Sequence, residues 1–206
     1  NFNNVAIGMR ALYSASGADN NVAIGFAAMS GASDATGDSN VAIGSYAGNV
    51  LTSAAEGVMM GVWAGSSITT GHYNTLLGYA AGGKLTTSTK NVAVGHGALY
   101  GHATQATTST GNVAIGMGAL SGAAAGMQGD SNVAIGLSAL GNATDPYDTV
   151  AIGNYAGYDV TTAFQNTLVG YYAGGNIVTR SNNTVMGNSA MRTLVSGRRN
   201  TAVGES

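Results

Sequence analysis

Three histidines, His72, His96 and His102, and nine carboxylates are the side chains of this chain best suited to move protons or hold a hard cation. The acids are Asp19, Asp34, Asp38, Glu56, Asp130, Asp145, Asp148, Asp159 and Glu205. Most lie in the segments that join one copy of a repeated word to the next. No HExxH, GxSxG, Walker or dinucleotide-binding spacing occurs. Asp34 and Asp38, in SDATGDSN, have ligand types that suit calcium, but the same residues serve turns and solubility. Asp145, Pro146 and Asp148 read as a turn in the same way. Nothing in the spacing favours a carboxylate pair for glycoside cleavage. There is no cysteine, so neither a disulfide nor a thiolate metal site can form. The expectation is therefore no catalytic residue, no metal, no cofactor and no enzyme.

The aromatic residues are more suggestive. Tyr46 and Trp63 stand two residues after successive copies of a recurring glycine, and so do Tyr155 and Tyr172. If the chain coils with that period, each pair stacks at about 4.8 Å. Such stacks suit a sugar ring on a receptor-binding surface. They suit equally an aromatic ladder that packs against the coil. The packing reading is favoured by a coupling: two residues after each of these aromatics stands a glycine, Gly48, Gly65, Gly157 or Gly174.

What must position these residues is the repeat. Its glycine recurs at Gly8, Gly25, Gly44, Gly61, Gly78, Gly95, Gly116, Gly136, Gly153, Gly170, Gly187 and Gly204. Most intervals are 17 residues; three are 19, 21 and 20. A fixed period near 20 residues is the sequence mark of a solenoid or array. The word before the glycine, NVAIG in its commonest form, places Val or Thr three before it and an aliphatic or methionine one before it. That is β-branched, short and glycine-bounded, which predicts strand rather than helix. Alanine stands three after the glycine in every complete copy, from Ala11 to Ala190. Four after it the chain uses either a large residue, such as Leu99 or Leu120, or glycine. Every glycine case carries an aliphatic seven after: Leu51, Ile68, Leu85, Val160 and Ile177. One aliphatic per coil, from either of two positions, is the trade that close packing demands.

These features predict an all-β protein: a parallel β-solenoid, or β-roll, of about twelve coils with a basic period of 17, residues 1–206 forming one repeat segment. One coil has room for two short strands and two turns. Eleven intervals make a rod roughly 50 Å long. Asparagine opens the word at Asn4, Asn21, Asn40, Asn74, Asn91, Asn112, Asn132, Asn166, Asn183 and Asn200, which predicts a stacked amide ladder. Gly57 and Thr149 interrupt it. Valine and isoleucine are expected inside the coil. The middle residue of the word then faces outward: Ala6, Ala23, Ala42, Met59, Leu76, Ala93, Ala114, Ala134, Ala151, Leu168, Val185 and Ala202. None is polar, so this second face is expected to form a homo-oligomer interface.

Composition closes off other classes. Charged residues are 8% and the net charge is −2, which leaves no basic footprint for nucleic acid or membrane lipid. No apolar run is long enough to span a membrane as a helix. The chain opens and closes near the repeated word, which predicts a segment of a longer fibrous protein. Longer loops are expected at Gly101–Gly111 and Ser121–Ser131, where recognition could reside.

The word N-[ST]-[VT]-A-[IV]-G followed by x-x-[AS] resembles the head repeats of trimeric autotransporter adhesins. The longer unit, seen in ITTGHYNTLLGYAAGGKL (68–85) and VTTAFQNTLVGYYAGGNI (160–177), is similar to repeats of phage tail fibres. The resemblance covers essentially the whole chain. It implies a left-handed roll, three chains about one axis, and an extracellular place on a virion tail or a bacterial surface. It implies a non-enzymatic rod that displays or spaces a receptor-binding tip, with a cell-surface glycan or protein as the receptor. The 17-residue period departs from the shorter unit of adhesin heads and predicts a wider coil. Two further readings stay open: a self-assembling extracellular filament, and an ice-binding solenoid, for which Thr69–Thr70, Thr86–Thr87 and Thr161–Thr162 give only a partial array.

Overall fold

The computed structural model describes residues 2–31, 36–101, 108–122, 129–193 and 197–205. Each copy of the word forms one three-residue strand. These are β1 (Val5–Ile7), β2 (Val22–Ile24), β3 (Val41–Ile43), β4 (Val58–Met60), β5 (Thr75–Leu77), β6 (Val92–Val94), β7 (Val113–Ile115), β8 (Val133–Ile135), β9 (Val150–Ile152), β10 (Thr167–Val169), β11 (Thr184–Met186) and β12 (Thr201–Val203). They pair in chain order as a single twelve-stranded parallel sheet. Register is strict: Val22 faces Val41, Ala23 faces Ala42 and Ile24 faces Ile43, and likewise along the stack. Among the described residues there is no helix. The chain is a β-solenoid of about eleven turns with a period near 17 residues.

The glycine that ends each word makes the corner. At Gly44 φ is +133°, and a Cβ there would sit 2.6 Å from the Gly61 carbonyl of the next coil. Both the dihedral and the close approach exclude any side chain. The same approach repeats up the stack from Gly8 to Gly187.

The limb after the glycine is a stack of turns and not a second strand, which corrects the two-strand expectation. Positions two and four after the glycine take left-handed φ in every coil from the first to the eleventh, for example Trp63 at 65° and Gly65 at 57°. No strand tolerates that alternation. The limb is still hydrogen-bonded to the coils on both sides. The Trp63 amide donates to the Ser45 carbonyl of the coil before, and the Gly65 amide donates to the Ala81 carbonyl of the coil after.

The strand faces are the reverse of those expected. The middle residues Ala23, Ala42, Met59, Leu76, Ala93, Ala114, Ala134, Ala151, Leu168 and Val185 are fully buried inside a single chain. Ala6 and Ala202 hold the same position in the terminal coils and are less covered. The ten buried ones therefore leave no surface in the single chain for a partner to cover, contrary to the expected outward face. Valine and isoleucine point outward instead. The physical reason is volume. The coil is thin, and its interior takes alanine from the strand opposite alanine and leucine from the turn limb. Larger middle residues appear where the limb gives way. Met59, Leu76 and Leu168 all belong to coils with glycine four after the corner. A Cβ on Gly82 would meet the Leu76 methyls at 2.8 Å and Leu85 at 2.9 Å; one on Gly174 would meet Leu168 at 2.8 Å and Ile177 at 3.0 Å. Three positions thus share one cavity in each coil. The aliphatics seven after the corner, Leu51, Ile68, Leu85, Val160 and Ile177, are buried in it, as are Leu99, Leu120 and Leu140 from position four.

Asparagines line the other end of the interior. The Asn112 side-chain oxygen accepts from the Asn132 backbone amide at 2.9 Å, and its amide nitrogen donates to the Gly129 carbonyl at 2.9 Å. The same pair of bonds is made by Asn21, to Asn40 and Gly37, and by Asn40, to Gly57 and Ala54. At Thr149 the hydroxyl takes over, receiving the Asn166 amide at 3.5 Å. Each of these asparagines therefore closes two buried backbone groups that the narrow coil leaves unpaired, and the ladder continues through Asn183 and Asn200 by side-chain to side-chain bonds.

Candidate binding groove

Aromatic residues gather on the turn limb, one, two and five residues after the corner glycine. Tyr46 and Trp63 stand 5.5 Å apart between ring centres, tilted at 55°, with Phe26 edge-on to Tyr46 at 5.2 Å. Tyr155 and Tyr172 stack at 5.2 Å and 21°, and the Arg192 guanidinium lies 4.9 Å over Tyr172. So the four aromatics picked out by position form two adjacent pairs, one tilted and one stacked. The pairs lie at opposite ends of one ladder, five coil steps apart between Trp63 and Tyr155. Between them the same position holds only Ala80, Gly97, Gly118 and Ser138.

That run of small residues opens a groove. A cavity of about 510 Å³ is floored by Ala80, Gly97 and Gly118 and closed at one end by Trp63. A Cβ on Gly97 would meet nothing within 4 Å, so the space above it is open. One wall is Tyr79, His96 and Met117; the other is Tyr100 and Ser121. Tyr79 and His96 stack face to face at 5.0 Å and 10°. On the far side of Trp63 a second cavity of about 360 Å³ is lined by Tyr46, Asn49, Ser66, Ser67 and Lys84. Trp63, 47% exposed, is the partition between an aromatic compartment and a polar one.

Sequence position alone finds Tyr46 and Trp63 and misses Tyr79, His96 and Tyr100. Tyr79 and His96 stand one after the corner glycine and Tyr100 five after, and the fold brings both positions to the same groove as Trp63. The signal that was available is the pair Gly97 and Gly118, which empties the aromatic position in adjacent coils.

The residues suited to chemistry are dispersed and bonded to the scaffold. The Asp19, Asp38 and Asp130 carboxylates accept from the Phe2, Asp19 and Thr110 backbone amides, each at 2.6 Å. His72 Nδ1 accepts from the Ala55 amide at 3.1 Å. The Tyr147 hydroxyl donates to the Asp145 carboxylate, and that bond, with the nearby charges of Asp145 and Asp130, raises its pKa above the ordinary tyrosine value. Among the described residues no group of three or more histidines and carboxylates could hold a metal ion. Asp34 and His102 lie outside the described residues, as do 102–107 and 123–128 of the two longer loops. The Thr69 and Thr161 hydroxyls donate to the Thr86 and Val178 carbonyls of the next coil, so neither is presented as a free array. No helix among the described residues is long and apolar enough to cross a membrane.

Comparison of the chain with protein-family models, with curated proteins and with solved structures finds no match.

Proposed function

We propose that this chain is a non-enzymatic segment of an extracellular fibre, a rigid rod that assembles side by side with copies of itself to display or space a receptor-binding tip. The observation that carries the reading is the outward face of the sheet. The first and third residues of all twelve strands point away from the core, and every one is valine, threonine, isoleucine, leucine or methionine. Ten of the twelve strands leave these positions half-buried to exposed on a buried middle residue, with Leu77 at 37%, Ile115 and Ile152 at 38%, and the terminal strands most open, Ile7 at 58% and Val203 at 75%. Along the rod these residues form one contiguous, largely apolar strip, the kind of surface that marks an interaction site, and a second copy seated on it would cover it. The homo-oligomer thus rests on valine and isoleucine rather than on the middle alanines. Three chains is the number the resemblance implies.

Between the two fibre types the longer unit and its Thr/Gly/Asn loop favour a virion tail fibre over a bacterial surface adhesin. A chaperone or virion-attachment segment in the adjoining gene sequence supports the first, and a membrane-anchor barrel supports the second.

Light scattering tests the assembly. The wild-type chain is expected to run as a defined multimer. Ile115→Glu with Ile135→Glu puts two charges on the outward face and is expected to give folded monomers. Ala134→Glu, one residue away and buried, is expected to unfold the chain instead. A wild-type monomer overturns the proposal.

A further inference from the structure

The two cavities on either side of Trp63 form one groove along the rod, and we infer that it is a binding site for an oligosaccharide. This rests on the fibre reading above and names the ligand class that such a surface would take. The aromatic compartment offers flat faces: Trp63 at its end and the parallel Tyr79–His96 stack in its wall. A pyranose ring presents a flat C–H face that stacks on such rings and a rim of hydroxyls around it. The polar compartment supplies the rim's partners: the Asn49 amide, the Ser66 and Ser67 hydroxyls and the Lys84 ammonium. No carboxylate lines either cavity, so hydroxyl oxygens and acidic substituents of a sugar meet no opposing charge. The combined volume is in the range of pockets that take drug-sized ligands, which are about 300–1,000 Å³.

A peptide is the less suitable occupant. An extended peptide gains affinity by hydrogen-bonding to an open backbone edge. Here the backbone is already spent: the Ala80, Gly97 and Gly118 amides donate to Val62, Tyr79 and His96, and the Lys84 amide donates to Tyr100. Recognition in this groove therefore falls to side chains and shape.

Trp63 is the sole tryptophan of the chain, so its emission reports the groove directly. A printed array of defined bacterial and animal oligosaccharides is probed with the labelled chain. The retained glycans are then titrated against tryptophan emission. The expected result is retention of a glycan class, a saturable change in Trp63 emission, and at least tenfold weaker binding by Tyr79→Ala. Tyr13→Ala, also exposed but outside the groove, is expected to bind as wild type. Tyr79 is 53% exposed, so its truncation leaves the fold in place, which circular dichroism checks. No glycan retained, or retention unchanged by Tyr79→Ala, overturns the inference. A drop in mass by light scattering for Tyr79→Ala also overturns it, because the groove is then a contact between copies. Loss of glycan binding with an intact multimer leaves the fibre reading standing, whereas a wild-type monomer that still binds glycan removes the fibre reading alone.

Discussion

Gly136→Ala should be far more damaging than its size suggests, and Gly97→Ala is its control. At Gly136 φ is +131°, and an added Cβ would lie 2.6 Å from the carbonyl carbon and oxygen of Gly153 and 3.0 Å from the Asn154 amide. Two costs combine. A non-glycine residue held in so sparse a region costs about 1–3 kcal/mol. Overpacking against backbone that cannot rotate away costs about 1–3 kcal/mol more. The total, about 4 kcal/mol, is a large part of the roughly 5–15 kcal/mol that holds a domain folded. At Gly97 φ is +60° and nothing lies within 4 Å of the added Cβ. Alanine already occupies the equivalent place at Ala27 and Ala80. The cost there is about 1 kcal/mol. For a chain of this size about 2–4 °C of melting temperature goes with each kcal/mol. Thermal melts followed by circular dichroism at one protein concentration should therefore fall by about 8–16 °C for Gly136→Ala and about 2–4 °C for Gly97→Ala. Hydrogen exchange should rise first in β8 and β9, since each coil is held only by its neighbours. Equal shifts for the two variants would refute the corner argument.

Asn112→Leu should destabilise by about 3 kcal/mol or more, since it strips partners from the buried Asn132 amide and Gly129 carbonyl; urea midpoints measure it. Gly82→Leu alone should clash with Leu76 and Leu85 and lower the melting point. The triple change Leu76→Ala, Gly82→Leu and Leu85→Ala recreates the set Ala134, Leu140 and Ala143 of the eighth coil and should restore most of the loss; no restoration refutes the shared-cavity account. Tyr147 has a folded pKa raised above its unfolded value near 10, so its contribution is full below about pH 10 and fades as pH climbs past that point. Tyr147→Phe should flatten the loss of stability as pH rises above about 10, read as urea midpoints, with the missing tyrosinate absorbance locating the group.

Much of this molecule is written openly in its sequence. The period, the position of each strand, the corner glycine and the stacked asparagines follow from twelve phased copies of one word. The direction of the strand faces does not follow. Alternation reveals an interior only when one face is polar, and here Val5 and Ile7 on one face and Ala6 on the other are all apolar. The sign was recoverable from covariation within the chain. Met59, Leu76 and Leu168 replace alanine where Gly65, Gly82 and Gly174 make room, with the smaller Val185 beside Met191 as the exception, which points to one shared space. The turn limb was hidden in a similar way. Leu99 and Trp63 are poor residues for left-handed backbone, but Gly97 and Gly118 at one of the two positions and five glycines at the other mark it. The groove was the least legible part, because its walls come from two different phases of the repeat, Tyr79 and His96 from one and Tyr100 from another, neither of which is the phase of Trp63.

The asparagine ladder gives the stack a direction. In each step the side-chain oxygen of an earlier coil receives the backbone amide of a later one, as Asn91 receives Asn112 and Asn112 receives Asn132. The earlier coil already holds its acceptor in place when the later one arrives. Emerging from the ribosome, the chain would therefore wind from its amino-terminal end, each completed turn serving as the mould for the next. A fibre built on this rule needs no long-range search to find its register, and an error in one coil is met at once by the coil that follows.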